Sequence, residues 1–172
     1  GGDKHPFKGE DQVLISSPKD VSTYDQKPEM SAFQVCDRLL ESLSDPTYSF
    51  YVVNFANSDM VGHTGNFEAA VKAIEALDVV MGKLTTACAK DKVTMLVTAD
   101  HGNSDQMMYE NGDMHTSHTE AMVPFIVVDH ALKNEKLELN EGPMALRNVA
   151  PTVLNIMGIP NPPLFEGVSV FK

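Results

Sequence analysis

The sequence has only two cysteines, Cys36 and Cys88, and no hydrophobic run long enough to cross a membrane. Both cysteines fall on the apolar side of predicted helices, where a buried free thiol is commoner than a disulfide or a metal ligand. The longest apolar runs, such as residues 123–128, are far shorter than the roughly 20 residues of a membrane-spanning helix. The first residues, Gly-Gly-Asp-Lys-His-Pro, do not resemble a signal peptide. These absences predict a soluble, cytoplasmic protein.

Positive charge is scarce. The chain has 13 Lys and Arg residues against 24 Asp and Glu residues, and its formal net charge is −11. Because the acidic residues are scattered along the chain, nucleic acid and anionic membranes are poor partners, whereas cations are suitable ones. There are only two arginines, Arg38 and Arg147, and both lie in helical patterns. Enzymes that act on phosphorylated acids usually bind them with arginine side chains, so this sequence lacks a visible substrate clamp.

A length of 172 residues with 42% hydrophobic content predicts one domain with a single core. Apolar residues at helical spacing predict a helix from about Ser31 to Leu43, a long helix from Phe67 to Cys88 capped by Asn66, and a helix around 149–157. Runs of β-branched and aromatic residues predict the strands. The predicted strands are 13–15, 50–55, 93–98 and 123–128, with a short edge strand at 137–139.

Strand 50–55, the long helix and strand 93–98 form a predicted β-α-β unit. Its two strands should be parallel, with a right-handed crossover, in an α/β fold. Ligands of open α/β sheets gather beyond the carboxyl ends of the strands. The polar side chains after these two strands are therefore expected at the same edge of the sheet.

Candidate metal ligands follow both strands, and a further one lies in the polar segment 103–120. They are Asp59, His63, Asp100, His101 and His118. Two carboxylates and three imidazoles suit Mn²⁺, Zn²⁺ or Co²⁺ better than Ca²⁺. A two-metal site that performs hydrolysis or phosphoryl transfer needs roughly three or four protein ligands per ion, so five donors are too few. Further ligands are expected elsewhere.

The local geometry of these candidates differs. A four-residue step lets Asp59 and His63 converge in a helical turn or a tight loop, whereas the adjacent Asp100 and His101 would point apart in a strand unless Gly102 bends the chain. His115 stays open as a ligand, a residue that supports a ligand, or an exposed side chain. His5 and His130 are expected at the surface.

Several motifs, in order along the chain, together resemble the C-terminal part of the cofactor-independent phosphoglycerate mutase family. The family belongs to the alkaline phosphatase superfamily of metalloenzymes. Ser58 stands where the family usually has proline, a loop change expected to be harmless. The motifs are Ser17-Pro18-Lys19, Thr23-Tyr24-Asp25, Pro28-Glu29-Met30-Ser31, the run 54–65 (Asn-Phe-Ala-Asn-Ser-Asp-Met-Val-Gly-His-Thr-Gly), Thr98-Ala99-Asp100-His101-Gly102-Asn103 and His115-Thr116-Ser117-His118-Thr119.

The resemblance implies a three-layer α/β/α fold with a mostly parallel central sheet, incomplete in this chain. It implies that residues 1–172 are the C-terminal portion of the metal-binding phosphatase domain, and that the N-terminal portion and the substrate-binding domain are absent. Asp59, His63 and His118 would bind one ion, and Asp100 and His101 a second. Mn²⁺ is favoured, with Co²⁺, Mg²⁺ and Zn²⁺ as alternatives.

The implied reaction is the glycolytic interconversion of 3-phosphoglycerate and 2-phosphoglycerate through a phosphoserine, an isomerase reaction. No serine here matches the nucleophile, and the arginines that hold phosphoglycerate also lie outside the chain, so we expect the chain alone to have no mutase activity. The full-length enzyme is expected to be a monomer.

Two other functions stay open. One is a phosphatase or phosphopentomutase of the same superfamily, and the other is a non-catalytic domain stabilised by metal. The second predicts metal sites with no open coordination position, whereas a catalytic site keeps positions open to water.

Overall fold

The computed structural model describes residues 5–131 and 138–172. The chain divides into two compact units, with the boundary between Val128 and Asp129. Short 3-10 helices at Tyr24–Gln26 and Leu146–Asn148 accompany the main elements. In chain order these are α1 (Ala32–Leu43), α2 (Asn57–Gly62), α3 (Phe67–Asp91), β1 (Met95–Thr98), β2 (Phe125–Val128) and α4 (Val149–Ile156).

Helix α3 is the central element of the first unit. It begins as predicted at Asn66, whose side chain accepts a hydrogen bond from the backbone N–H of Ala69 at 3.1 Å, and it ends where Lys92 adopts a left-handed conformation with φ of 57°. Not every apolar residue of the helical pattern is on its buried face, because Phe67 and Ile74 are exposed. The buried residues are Ala69, Ala70, Ala73, Ala76, Val80, Leu84 and Cys88.

Two helices pack on successive parts of α3. Helix α1 has the predicted extent, and its Cys36 is fully buried beside Val80 and Leu84. Helix α2 packs closer to the start of α3, where Val61 lies in a cluster with Ala69, Ala70 and Ala73. The small alanine side chains let the two backbones approach closely. The residues before His63 are therefore held against α3, the longest helix described.

The step from Asp59 to His63 was expected to be a helical turn or a tight loop, and Asn57–Gly62 forms helix α2. Asn57 is 2% exposed, and its side-chain N–H groups donate to the carbonyls of Pro28 at 2.9 Å and Glu29 at 2.8 Å. Gly65 then has φ of 72°, a conformation that glycine adopts without strain. The segment is helical because tertiary contacts hold it, not because of a long local pattern.

The sheet also differs from the prediction. Strands β1 and β2 pair antiparallel, with Met95 opposite Val128 and Thr98 opposite Phe125. Residues 13–15 and 50–55 are not strands in this structure, so the parallel β-α-β prediction is wrong for the sheet seen here. Within the described ranges, residues 50–55 have no backbone hydrogen bond to another segment, and Val52 is 81% exposed. Strand propensity alone does not make a strand without a neighbouring one.

The second unit contains α4 and the chain that follows it. The predicted helix around 149–157 is confirmed, with Pro151 in its first turn and Gly158 after its end at φ of 69°. The side chain of Asn140 donates to the carbonyls of Ser169 at 2.8 Å and Phe171 at 2.9 Å. Of the predicted edge strand, Leu137 lies outside the described residues, and Leu139 forms an isolated antiparallel bridge with Phe171.

None of the helices described combines the length and the apolar content that crossing a bilayer would require.

Candidate metal centre

Three segments bring the candidate ligands together. Asp59 lies in α2, and His63 caps the end of that helix, with its backbone N–H bonded to the Asp59 carbonyl at 3.0 Å. The four-residue step thus forms a helical turn with both side chains on one face. His118 comes from the segment before β2, which is held to the loop after β1 by a bond from the N–H of Thr119 to the carbonyl of Gly102 at 2.8 Å.

The ligand atoms of these three residues form a nearly equilateral triangle. Oδ1 of Asp59 is 3.1 Å from Nε2 of His63 and 3.2 Å from Nε2 of His118. The two Nε2 atoms are 3.2 Å apart. Atoms that bind one tetrahedral ion at about 2.0–2.1 Å are roughly 3.3 Å from one another. The triangle therefore has the dimensions of one face of a metal coordination shell.

The tautomer of His63 supports the same conclusion. Its Nδ1 lies 2.6 Å from the carbonyl oxygen of Thr116. A carbonyl can only accept, so Nδ1 carries the hydrogen, and Nε2 is the nitrogen left to bind a metal ion on the side of Asp59 and His118. Lone pairs of two or three ligands at this distance repel unless a cation or a proton lies between them. This donor set fits a divalent metal ion.

His101 joins this group from the loop after β1. Its ring stacks on that of His118, with centroids 3.7 Å apart and an interplanar angle of 17°. Ligand atoms of Asp59, His101 and His118 all lie within 4.8 Å of one another. Asp59 and His118 thus belong to two overlapping three-residue sets, one completed by His63 and the other by His101.

Asp100 lies at the rim of the group. Its side chain is 85% exposed, and its Oδ1 is 3.7 Å from Nε2 of His101. The structure therefore brings four of the five candidate ligands together and leaves the fifth facing solvent beside them.

The contacts of two residues, Asn103 and Thr116, with the candidate ligands were not anticipated from the sequence. Asn103 donates from Nδ2 to Oδ1 of Asp59 at 2.7 Å and to the Asp59 carbonyl at 3.3 Å, and the carbonyl of Thr116 accepts from His63. These pairs are separated by 44 and 53 residues. No local spacing could have indicated them, although both residues stand inside the motifs that carry the candidate ligands.

His115 is not an exposed side chain, which removes one of its three alternatives. It is 9% exposed, and its ring packs edge-on against Tyr109 with centroids 4.6 Å apart. Its backbone N–H donates to the carbonyl of Met107 at 3.0 Å. The other two alternatives, ligand and supporting residue, stay open.

Burial raises the pKa of the Cys36 and Cys88 thiols above the usual value. Hydrogen bonds from Thr23 and Asn66 lower the pKa of Asp25. Asp25 thereby connects to the capping residue of α3, since Nδ2 of Asn66 donates to its carboxylate at 3.3 Å.

Comparison with known proteins gives a consistent set of similarities. The metalloenzyme superfamily matches residues 1–161. The chain is 49% identical over 170 residues to the 2,3-bisphosphoglycerate-independent phosphoglycerate mutase of Moorella thermoacetica, covering 99% of this chain and 32% of that protein. It is 48% identical over 173 residues to the enzyme of the same name from Ectopseudomonas mendocina, covering 100% of this chain and 33% of that protein.

A solved structure is also similar. The phosphoglycerate mutase of Leishmania mexicana, crystallised at low cobalt concentration, superposes with a TM-score of 0.81 and 30% sequence identity. The match covers 92% of this chain and 31% of that one. The chain thus spans about a third of the length of the curated relatives that it matches.

Proposed function

We propose that this chain, which belongs to the metalloenzyme superfamily, is the metal-binding part of a cofactor-independent phosphoglycerate mutase. The observation that carries the proposal is the triangle formed by Asp59, His63 and His118, with sides of 3.1 to 3.2 Å. The similarity to curated mutases along the whole chain supports the choice of reaction. The substrate would be a small phosphoglycerate, and the reaction would interconvert its 3-phospho and 2-phospho forms.

Each candidate ligand has a role in this proposal. Asp59, His63 and His118 would hold one divalent ion, and Asp100 with His101 would contribute to a second. Mn²⁺ is our first choice, with Co²⁺, Mg²⁺ or Zn²⁺ as alternatives, because mixed carboxylate and imidazole ligands accept all of these ions. When bound, such ions polarise phosphoryl oxygens and favour the ionised form of an attacking hydroxyl.

The chain's own residues prepare the site for this chemistry. Thr116 accepts the Nδ1 hydrogen of His63 and so keeps the Nε2 lone pair directed at the site. Asp59 supplies the negative charge that a divalent ion requires. Asp100 is 85% exposed, so the side of the site next to it is open for a phosphoryl group and for ligands from elsewhere.

The rest of the machinery would lie in the other two thirds of a protein as long as the relatives. There we place the phosphoserine nucleophile, a further metal-binding aspartate and the arginines that hold the substrate, since the only two arginines of this chain, Arg38 and Arg147, are far from the candidate ligands in the sequence. Residues 1–172 would then be the C-terminal portion of the phosphatase domain. We further propose a cytoplasmic enzyme that acts as a monomer and has neither nucleic acid nor membrane as a partner.

The proposal also includes the fold of the complete domain. The two-stranded sheet would be part of a larger, mostly parallel sheet in a three-layer α/β/α arrangement of the alkaline phosphatase type. Residues 50–55 would pair there with a strand outside this chain, which accounts for the 53% exposure of Phe50 and the 81% exposure of Val52. The TM-score of 0.81 to a much longer mutase supports this placement.

A direct test compares substrates. The parent protein is the proposed full-length enzyme that contains residues 1–172. Loaded with Mn²⁺, it should isomerise 3-phosphoglycerate without releasing phosphate, and an Asp59→Ala variant should lose this activity. The 172-residue chain alone should show no turnover. Hydrolysis of simple phosphate esters without isomerisation would instead identify a phosphatase, and transfer confined to pentose phosphates a phosphopentomutase. Tight metal binding with neither activity would indicate a structural metal domain.

A further inference from the structure

Asn103 occupies an unusual position beside the metal centre. It is 5% exposed, and both acceptors of its side-chain amide belong to Asp59, the carboxylate oxygen Oδ1 at 2.7 Å and the backbone carbonyl at 3.3 Å. The same Oδ1 faces the imidazoles of His63 and His118. The Asn103 amide thus bonds to both the side chain and the backbone of Asp59, whose Oδ1 is one corner of the triangle of ligand atoms.

The orientation of this amide follows from its partners. Both neighbouring atoms of Asp59 can only accept hydrogen bonds, so the NH₂ group must face them. A rotation of the amide by half a turn would place its oxygen against two other oxygens. The amide oxygen on the opposite side is buried and has no hydrogen-bond partner. Burying an oxygen without a hydrogen-bond partner costs free energy. The side chain nevertheless keeps this orientation, because its NH₂ group bonds to Asp59.

Gly62 makes room for this arrangement. A Cβ atom at position 62 would lie 2.3 Å from Oδ1 of Asn103 and 2.8 Å from Oγ of Ser104. Neither distance is compatible with normal contacts, so any side chain at this position would displace Asn103. Gly62 and Asn103, which are 41 positions apart in the sequence, therefore fit against each other only because residue 62 has no side chain.

We propose that Asn103 is a positioning residue for the metal centre, and that it fixes the carboxylate of Asp59 through an amide contact that the bare backbone of Gly62 makes possible. This inference rests on the proposed function, because it assumes that Asp59 binds metal. Residues that orient a metal ligand typically contribute a factor of about 10–100 to metal affinity. The role extends the centre beyond the five candidate ligands.

Metal affinity of single variants tests the proposal. Mn²⁺ dissociation constants from calorimetry are compared for the wild-type parent protein and its Asn103→Ala and Gly62→Ala variants, with Ser104→Ala as the matched control. Ser104 also joins its loop to α2, but its hydroxyl donates to the Ser58 carbonyl, whereas Asn103 donates to Asp59. Both test variants should bind Mn²⁺ about 10–100-fold more weakly, whereas the control should stay close to wild type.

Two further measurements separate positioning from general destabilisation. The visible absorption of bound Co²⁺ should change in Asn103→Ala and not in Ser104→Ala, because only the first variant alters the orientation of a ligand. In the wild-type parent protein, NMR with diamagnetic Zn²⁺ should show the Asn103 side-chain amide protons protected from exchange and shifted on metal binding, unlike those of the exposed Asn111. This experiment needs no variant to fold.

The outcomes are distinct. Wild-type affinity and an unchanged Co²⁺ spectrum in Asn103→Ala, or an equal loss in Ser104→Ala, would overturn the positioning role while leaving the metal centre intact. Asn103 amide protons that exchange as fast as those of Asn111 would overturn it as well. Failure of the wild-type parent protein to bind any of the three metals would instead remove the proposed function on which the inference rests.

Discussion

Nδ1 of His63 donates a hydrogen bond to the carbonyl oxygen of Thr116, 53 residues further along the chain, over 2.6 Å. This bond joins the end of α2 to the segment that carries His118, so one contact both selects the tautomer of His63 and sets its distance from a second candidate ligand. The metal centre consequently depends on the packing of two segments that are far apart in the sequence.

Replacement of His63 by alanine should weaken metal binding by more than the roughly 10–100-fold expected for a residue that only supports a ligand. The variant loses a donor and also the contact with Thr116. Calorimetric titration with Mn²⁺ measures the effect. His130→Ala is the control, because His130 is exposed, and a comparable loss of affinity in that variant would show that His63 has no special role.

Removal of metal should lower the thermal stability of the chain. A ligand that binds only the folded state stabilises it by about 2.7 kcal/mol when its free concentration is 100 times its dissociation constant. Melting temperatures measured with Mn²⁺ and with excess chelator should therefore differ. In Asp59→Ala the difference should shrink, because Asp59 is a proposed ligand of the first ion, and an undiminished difference there would place the stabilising metal elsewhere.

The Asn57→Ala variant should lose about 1–3 kcal/mol of unfolding free energy, because the carbonyls of Pro28 and Glu29 would lose their donor in a buried site. Urea denaturation provides the measurement. Asn111→Ala removes an exposed amide that bonds to Asp113, and it should change the free energy by no more than about 0.5 kcal/mol. Equal effects in the two variants would contradict the proposed importance of the buried contact.

The thiols of Cys36 and Cys88 should react slowly with alkylating reagents at pH 8. Burial raises the pKa of both thiols, and the thiolate is the reactive form, so the reactive fraction at this pH is below that of an exposed cysteine. The alkylation rate should therefore rise as the pH increases and more thiolate forms, and it should rise sharply when the chain unfolds in urea. Mass spectrometry of the alkylated chain gives both rates. Fast labelling of the folded chain would be inconsistent with two buried thiols.

The extent of α1, the capped start of α3 and the position of α4 could all be predicted from the sequence. Apolar spacing, an N-terminal cap and a terminal glycine act over a few residues, and the same few residues contain the signal. The convergence of Asp59 with His63 was also accessible, because a four-residue step fits a helical turn.

The tertiary structure decided the rest. Three features depend on which segments pack together: the antiparallel pairing of β1 with β2, the alanine face of α3 and the helical state of α2. Local sequence patterns cannot predict them, because the residues that pack together are far apart in the chain. The same applies to the contacts of Asn103 with Asp59 and of Thr116 with His63. The sequence by itself determined which donors are available for a metal, whereas long-range packing decided which of them meet, because a hydrogen bond across 44 or 53 residues forms only after the fold is in place.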